Sequence, residues 1–404
     1  MGSFKGDMLI LVSVSLDTGT IGPVTTMAEF VKTFGEFSST THGLIVSSIL
    51  PTAALSALVA GIFADRYGRV RLIILGACIF GIGAAIECAS TKLPMFIVGR
   101  LIKGMGEGQF LSTTFVQVAE ISPARGRGVV SSFPQFSTVC GLVIGFFICY
   151  GTARIDGTSL SWRLPIALAS FLAFAFAALC TLVPPSPRWL LAKGRVEDAR
   201  AVVAQLGLDP EEQEELLAQS SSGLEHALDV SLAESLKQTF ADFGEAFSPP
   251  FRARTAFGCF LMMFQQYSGI DGVLYYAPIL FREAGLSSEK ASFLASGVSA
   301  LVILGITIPA TILADHWGRR TSSLLGGALI TAIMIVIGSL YAADEVHSDR
   351  GAGRWVVIVG IYLFALVFSG TWAIGFRIFL VESLPRRTRS SASSLAQCSN
   401  WVSL

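Results

Sequence analysis

Apolar residues run along this chain in blocks of about twenty, broken by short polar connectors, and a helix needs about that many residues to cross a bilayer. The blocks predict spans near 8–30, 43–64, 71–91, 94–119, 129–151, 163–184, 254–276, 292–314, 321–343 and 355–381. An eleventh begins near Ser390, and the sequence stops at Leu404 with about 14 residues of it present, too few to cross. The expectation is an all-α membrane protein of about ten complete spans plus a partial eleventh. One polar stretch, Pro185 to Arg252, is too long to be a turn. Val196, Ala199, Val202, Val203 and Leu206 recur there at helical spacing, and Pro210-Glu211-Glu212 is a good helix start, so the stretch reads as amphipathic helices.

The connectors carry a repeat. Asp65-Arg66-Tyr67-Gly68-Arg69 and Asp315-His316-Trp317-Gly318-Arg319 share an Asp-x-x-Gly-Arg spacing between apolar runs. Glu120 precedes Arg127 by the step at which Glu382 precedes Arg389. Such echoes indicate two like halves. The expected division is 1–184 as an amino-terminal six-helix bundle, 185–252 as a cytoplasmic linker, and 253–404 as an incomplete carboxy-terminal bundle. With the amino terminus inside, inner connectors collect 18 Lys and Arg against 8 outside, which places both repeated turns in the cytoplasm.

Composition agrees with a membrane chain: 52% of residues are apolar and 14% charged, against about 25% charged in soluble domains. Lys plus Arg equals Asp plus Glu, so no basic tract for nucleic acid is expected. The seven cysteines lie singly in apolar runs and read as small buried hydrophobes rather than metal ligands or disulfides. Neither a His-Glu-x-x-His motif nor a Gly-x-Ser-x-Gly elbow is present, and the four histidines scatter among connectors, which argues against an enzyme. Gly104-Met105-Gly106-Glu107-Gly108 is no phosphate loop, because it lies within an apolar span. No cofactor or metal is implied.

The marks that identify a relative are spread along the whole chain. They are Asp17-Thr18-Gly19, Asp65 to Arg69, Gly99-Arg100 with Gly104, Gly106 and Gly108, and Glu120 with Arg127-Gly128. Further ones are Ser186-Pro187-Arg188-Trp189-Leu190, Gln265-Gln266 with Ser268-Gly269-Ile270, Tyr275-Tyr276, Asp315 to Arg320, and Glu382 with Pro385 and Arg389. Together they resemble the sugar porter family of the major facilitator superfamily, most of all its fungal members. The resemblance implies twelve spans in two pseudo-symmetric bundles, alternating access, and proton symport of a sugar or sugar-like solute by a monomer in the plasma membrane. It also implies that Asp65, Arg69, Glu120 and Arg127 in one half, and Asp315, Arg319, Arg320, Glu382 and Arg389 in the other, form an inner gate. The competing reading makes them positive-inside anchors and surface pairs worth under about 1 kcal/mol each.

Ionisable groups at bilayer depth are costly and mark function. Asp17 in span 1 and Arg100 in span 4 match the family's proton-coupling pair. A carboxylate beside a guanidinium stays ionised, whereas one separated from it and desolvated takes up a proton, so the pair can link protonation to conformation. A static staple between two helices is the alternative. Lys103 and Glu107, one turn apart, are expected to neutralise each other along their helix.

The sugar site departs from the family pattern. Asp271 stands where the signature has Asn, Leu142 where a span 5 Gln is usual, and Arg377 where a span 10 Trp is usual, with Trp372 nearby. Gln265, Gln266 and Tyr276 remain as hydrogen-bonding groups. Asp271 and Arg377 either pair with each other or leave Arg377 to receive the carboxylate of an acidic sugar or other organic anion. A non-transporting nutrient sensor, or an inactive truncated relative, is the alternative function.

Overall fold

A computed structural model of the chain describes residues 16–121, 127–155, 157–206, 232–275, 277–284, 289–313, 318–346, 351–385 and 388–403. Every regular element among them is a helix. The first run is a helix over 16–26 (α1) that bends at Met27, where ψ is 137°, and resumes as Ala28–Phe34 (α2). Ser39–Ser47 (α3) leads through Ser48 into Ile49–Tyr67 (α4). Arg69–Ala89 (α5), Leu93–Ile121 (α6), Arg127–Thr152 (α7) and Leu160–Cys180 (α8) follow. Three shorter helices come next, Pro187–Ala192 (α9), Val196–Leu206 (α10) and Leu232–Ala246 (α11). Arg252–Tyr267 (α12), Ile270–Tyr275 (α13) and Ala277–Glu283 (α14) come next, then Glu289–Leu313 (α15), Arg319–Ala342 (α16), Gly353–Gly370 (α17), Trp372–Ser383 (α18) and Arg389–Val402 (α19).

Two expected spans are interrupted. The run 254–276 breaks at Ser268 and Gly269, whose φ of +86° ends α12 and starts α13; glycine takes that backbone conformation without a Cβ clash. The run 355–381 breaks at Thr371, with φ −124° and ψ −68°. Six described helices are long and apolar enough to cross a membrane: Thr40–Tyr67, Arg69–Ala89, Leu160–Cys180, Ala295–Ile312, Arg320–Ala342 and Gly353–Gly370. Helix α6 is also long enough to span, at 29 residues, but carries Arg100, Lys103 and Glu107 along it. Large apolar side chains such as Leu55, Phe171, Ile312 and Ile335 project outward, while Asp17, Glu87, Arg100 and Lys103 are buried. That inversion of the usual soluble pattern suits a surface bathed in lipid.

Small residues set the closest contacts. In lipid, helices associate by backbone approach rather than by excluding water. A methyl carbon at Gly76 of α5 would stand 2.9 Å from the Gly106 carbonyl oxygen of α6, and one at Gly108 would run into the Ala53 carbonyl of α4. The Gly-rich run at 104–108 is therefore a packing seam between α4, α5 and α6. Gly106→Leu is expected to lower the detergent-solubilised protein's stability by about 1–3 kcal/mol, the usual range for overpacking; a thermal melt against wild type checks it.

Across the middle of the molecule, α4 packs on α19 and α7 packs on α15. Val139, Leu142 and Val143 of α7 meet Ala300 and Ile303 of α15 and Ala365 of α17 in one apolar cluster. In the linker, Ala199 and Val202 of α10 fold onto Leu190 and Leu191 of α9, the face that their spacing predicts. The helix start at Pro210-Glu211-Glu212 lies outside the described residues.

Candidate functional site

Glycines bring the charged residues together. The backbone of α1 touches that of α7, since a Cβ at Gly19 would collide with the Leu142 carbonyl and one at Gly145 would lie 2.5 Å from the Leu16 oxygen. On the other side of α6, a Cβ at Gly83 would meet the Lys103 backbone 2.5 Å away, and one at Gly99 would meet the Glu87 Cγ at 2.8 Å. Asp17 of α1, Glu87 of α5, and Arg100 and Lys103 of α6 consequently converge on one point.

Lys103 is the centre of that cluster. Its Nζ donates to Asp17 Oδ1 at 2.5 Å and to Glu87 Oε2 at 2.9 Å, and lies 5.2 Å from the centroid of the Phe80 ring. The side chains are 0% exposed for Lys103, 1% for Arg100 and Glu87, and 8% for Asp17, so the attraction is little screened. The expected Lys103–Glu107 pairing within α6 is replaced by this one. The i to i+4 step makes two residues neighbours, but the face of α6 that meets α1 and α5 carries Lys103, while Glu107 is only partly buried. Arg100 Nη1 lies 3.8 Å from Asp17 Oδ2. The same guanidinium donates through Nη2 to the Val46 carbonyl at 2.7 Å and through Nε to Ser48 Oγ at 3.2 Å. Those acceptors lie at the carboxy-terminal end of α3, where a cation is favoured by the helix dipole. Arg100 thus ties Asp17 to the bend between α3 and α4.

Farther along α3, His42 Nε2 hydrogen-bonds with Thr25 Oγ1 at 2.8 Å and is buried. It is therefore not a connector residue, as its place near the start of an apolar run suggested.

The first Asp-x-x-Gly-Arg turn is built locally. Arg69 Nη2 pairs with Asp65 Oδ1 at 2.7 Å, and Arg69 Nη1 donates to the Ala64 carbonyl at 3.3 Å. Gly68 has φ +99°, a value that favours glycine. Ser186 caps α9 by accepting from the Trp189 amide, which sets Trp189 over the turn. Its Nε1 donates to the Asp65 carbonyl at 2.9 Å, and a Cβ at Gly68 would stand 3.3 Å from the indole. Trp189→Ala removes that clamp and is expected to loosen the turn, read as faster backbone amide hydrogen exchange over residues 65–69. Arg320 is exposed. Asp315 and the side chains of Glu120, Arg127, Arg319, Glu382 and Arg389 lie outside the described residues.

In the second half, Gln265 Nε2 donates to the Trp372 carbonyl at 3.2 Å. Asn400 donates to the Met262 carbonyl at 2.9 Å and lies 3.5 Å from Gln265 Oε1. Gln266 donates to the Asp271 carboxylate across the break at Gly269. Trp372 is buried, donates through Nε1 to the Ser323 carbonyl at 3.0 Å, and stacks on Phe376 with ring centroids 4.7 Å apart. Tyr276 and the Arg377 side chain lie outside the described residues. A small pocket opens where α7, α13 and α15 meet, lined by Leu142, Phe146, Val273 and Leu274 with Ser296 and Ser299.

Residues 11–403 match the family described as sugar (and other) transporter. The chain belongs to the sugar transporter family of the major facilitator superfamily. The high-affinity hexose transporter HXT6 of Saccharomyces cerevisiae is 30% identical over 96% of this chain and 69% of its own length. The glucose transporter GlcP of Staphylococcus epidermidis is 32% identical, over 89% of this chain and 76% of its own. Among solved structures, the xylose transporter XylE from E. coli, in a partially occluded inward open conformation, matches the fold with a TM-score of 0.75 at 22% identity. That match covers 100% of this chain and 89% of the other. The protein is accordingly a multi-pass integral membrane transporter with the major facilitator fold, and not an enzyme.

Glu87 had no place in the sequence reading. It stands at the end of the run 71–91, where a single acid passes for a boundary residue. The signal available was its partner: Lys103 is a second cation at bilayer depth and requires a second acid.

Proposed function

We propose that this transporter moves a neutral sugar or sugar-like solute by proton symport, with two bundles alternating about a central site. The observation that carries the reading is Asp17, an acid buried in the first span and held between two cations on α6. A carboxylate in that position can change charge only when its partners move, which is the coupling that symport requires. The hexose and glucose transporters among the relatives support the solute class. Gln265, Gln266, Asp271, Tyr276, Trp372 and Arg377 are assigned to the solute side. Asp65, Arg69, Glu120 and Arg127, with Asp315, Arg319, Arg320, Glu382 and Arg389, are assigned to the inner gate. The neutral solute is preferred to an anion because Asp271 places a carboxylate beside the break in α12 and α13, its amide partner being Gln266. We place the protein in the plasma membrane as a monomer.

Proteoliposomes carrying the full chain should accumulate radiolabelled glucose or xylose under an inward proton gradient, and a protonophore should abolish the accumulation. Equal uptake with and without the gradient contradicts symport. Absence of both uptake and exchange, with sugar binding retained, points instead to a sensor.

A further inference from the structure

We propose that Glu87 and Lys103 form the second half of the proton site, Lys103 being a shared cation that passes from Asp17 to Glu87 when Asp17 takes up a proton. The inference rests on the symport reading and names residues that set the pH at which the site works.

Three features of the cluster carry it. First, one fully buried ammonium reaches two carboxylates on different helices, 2.5 Å from Asp17 and 2.9 Å from Glu87. Second, the two carboxylates that Lys103 and Arg100 contact are matched by those two cations. With Asp17 and Glu87 ionised against Arg100 and Lys103 the cluster is neutral, and a proton on Asp17 leaves one positive charge in a medium that tolerates it poorly. Glu87 limits that penalty, because Lys103 then keeps an anionic partner while Arg100 keeps the Val46 carbonyl and Ser48. Third, the cluster has unused valences on both sides of Lys103's two carboxylates, one on an acid and one on a cation. Glu87 Oε1 and Arg100 Nη1 are buried without a hydrogen-bond partner. Movement of Lys103 toward Glu87 supplies the first.

The step conserves protons. Water on the outer side delivers one proton, an O–H bond forms on the Asp17 carboxyl, and Lys103 retains its own three protons as it shifts. On the inner side the O–H bond breaks, the proton leaves to water, and the ammonium returns to Asp17. Among the described residues, the other ionisable side chains about the cluster are Glu107 on α6, the thiols of Cys88 on α5 and Cys149 on α7, and Arg163 of α8, whose guanidinium donates to the Cys88 and Ser90 carbonyls. Cys149 donates to the Thr20 carbonyl at 3.7 Å, and Cys88 donates to the Arg163 carbonyl at 3.6 Å. Neither thiol is within the exchange between Asp17, Lys103 and Glu87.

The test is the pH at which proton-driven glucose uptake is half-maximal in proteoliposomes, with monodispersity confirmed for each variant. Lys103→Gln removes the nearest cation from Asp17 and should move the midpoint up by about 1–3 pH units, the usual influence of an opposite charge at this range. Glu87→Gln leaves Lys103 to Asp17 alone and should move the midpoint down. The charge-balanced Lys103→Gln/Glu87→Gln variant should move it up by less than Lys103→Gln does, and carries the test if a single variant misfolds. A structural staple lowers the rate and leaves the midpoint in place. An unmoved midpoint in these variants, with wild-type uptake still abolished by a protonophore, overturns the shared-cation proposal alone. Wild-type uptake indifferent to the protonophore overturns it together with symport.

Discussion

Asp17→Asn should abolish accumulation of sugar against its gradient while leaving sugar exchange across the membrane intact. The substitution keeps the shape and one acceptor oxygen for Lys103 but fixes the site in one charge state, so no proton can be carried. The cost to folding is offset in part because Lys103 retains Glu87 at 2.9 Å and Arg100 retains the Val46 carbonyl at 2.7 Å. Uphill uptake should fall to the level of empty liposomes, with counterflow of preloaded sugar still measurable. Loss of both activities in a monodisperse protein would show that Asp17 serves the solute or the fold rather than the proton.

Arg100→Gln should have the larger effect on stability. Removing this guanidinium leaves two carboxylates against one ammonium at bilayer depth, and it takes a donor from the end of α3. Breaking a buried ion pair from one side costs about 3–5 kcal/mol. Arg100→Lys should not rescue, because one ammonium cannot serve Asp17, Val46 and Ser48 with the planar fork that a guanidinium offers. Adding Asp17→Asn to Arg100→Gln restores the charge balance as Glu87 against Lys103. The double variant should therefore be more stable than Arg100→Gln alone, a coupling that a double-mutant cycle of thermal melts reads directly.

How much of this was legible before the structure differs by kind of feature. The helices could be read because apolar runs of span length have few other solutions. Asp17 and Arg100 could be read because a charge in such a run is anomalous, and the turn at Gly68 because Asp-x-x-Gly-Arg occurs twice. The partner of Lys103 could not. Local spacing offers Glu107 one turn away, but only the packing of α5 on α6 through Gly83 and Gly99 brings Glu87 alongside. The breaks at Gly269 and Thr371 were hidden for a related reason. Hydropathy averages over a run and does not register one backbone torsion, although Ser268-Gly269 was a local hint. The hydrogen bond from the Trp372 indole N–H to the Ser323 carbonyl was equally hidden, because it depends on the room that Gly326 and Gly327 of α16 leave for the ring.

The central claim is that sugar and proton cross together through the Asp17 cluster. Simultaneous recording of internal pH, with a trapped fluorescent dye, and of radiolabelled glucose or xylose in the same proteoliposomes tests it most directly. Addition of external sugar without any imposed gradient should acidify the lumen of wild-type vesicles in step with sugar entry, and should leave the pH unchanged in Asp17→Asn vesicles. Sugar entry into wild-type vesicles with no accompanying acidification would contradict the account.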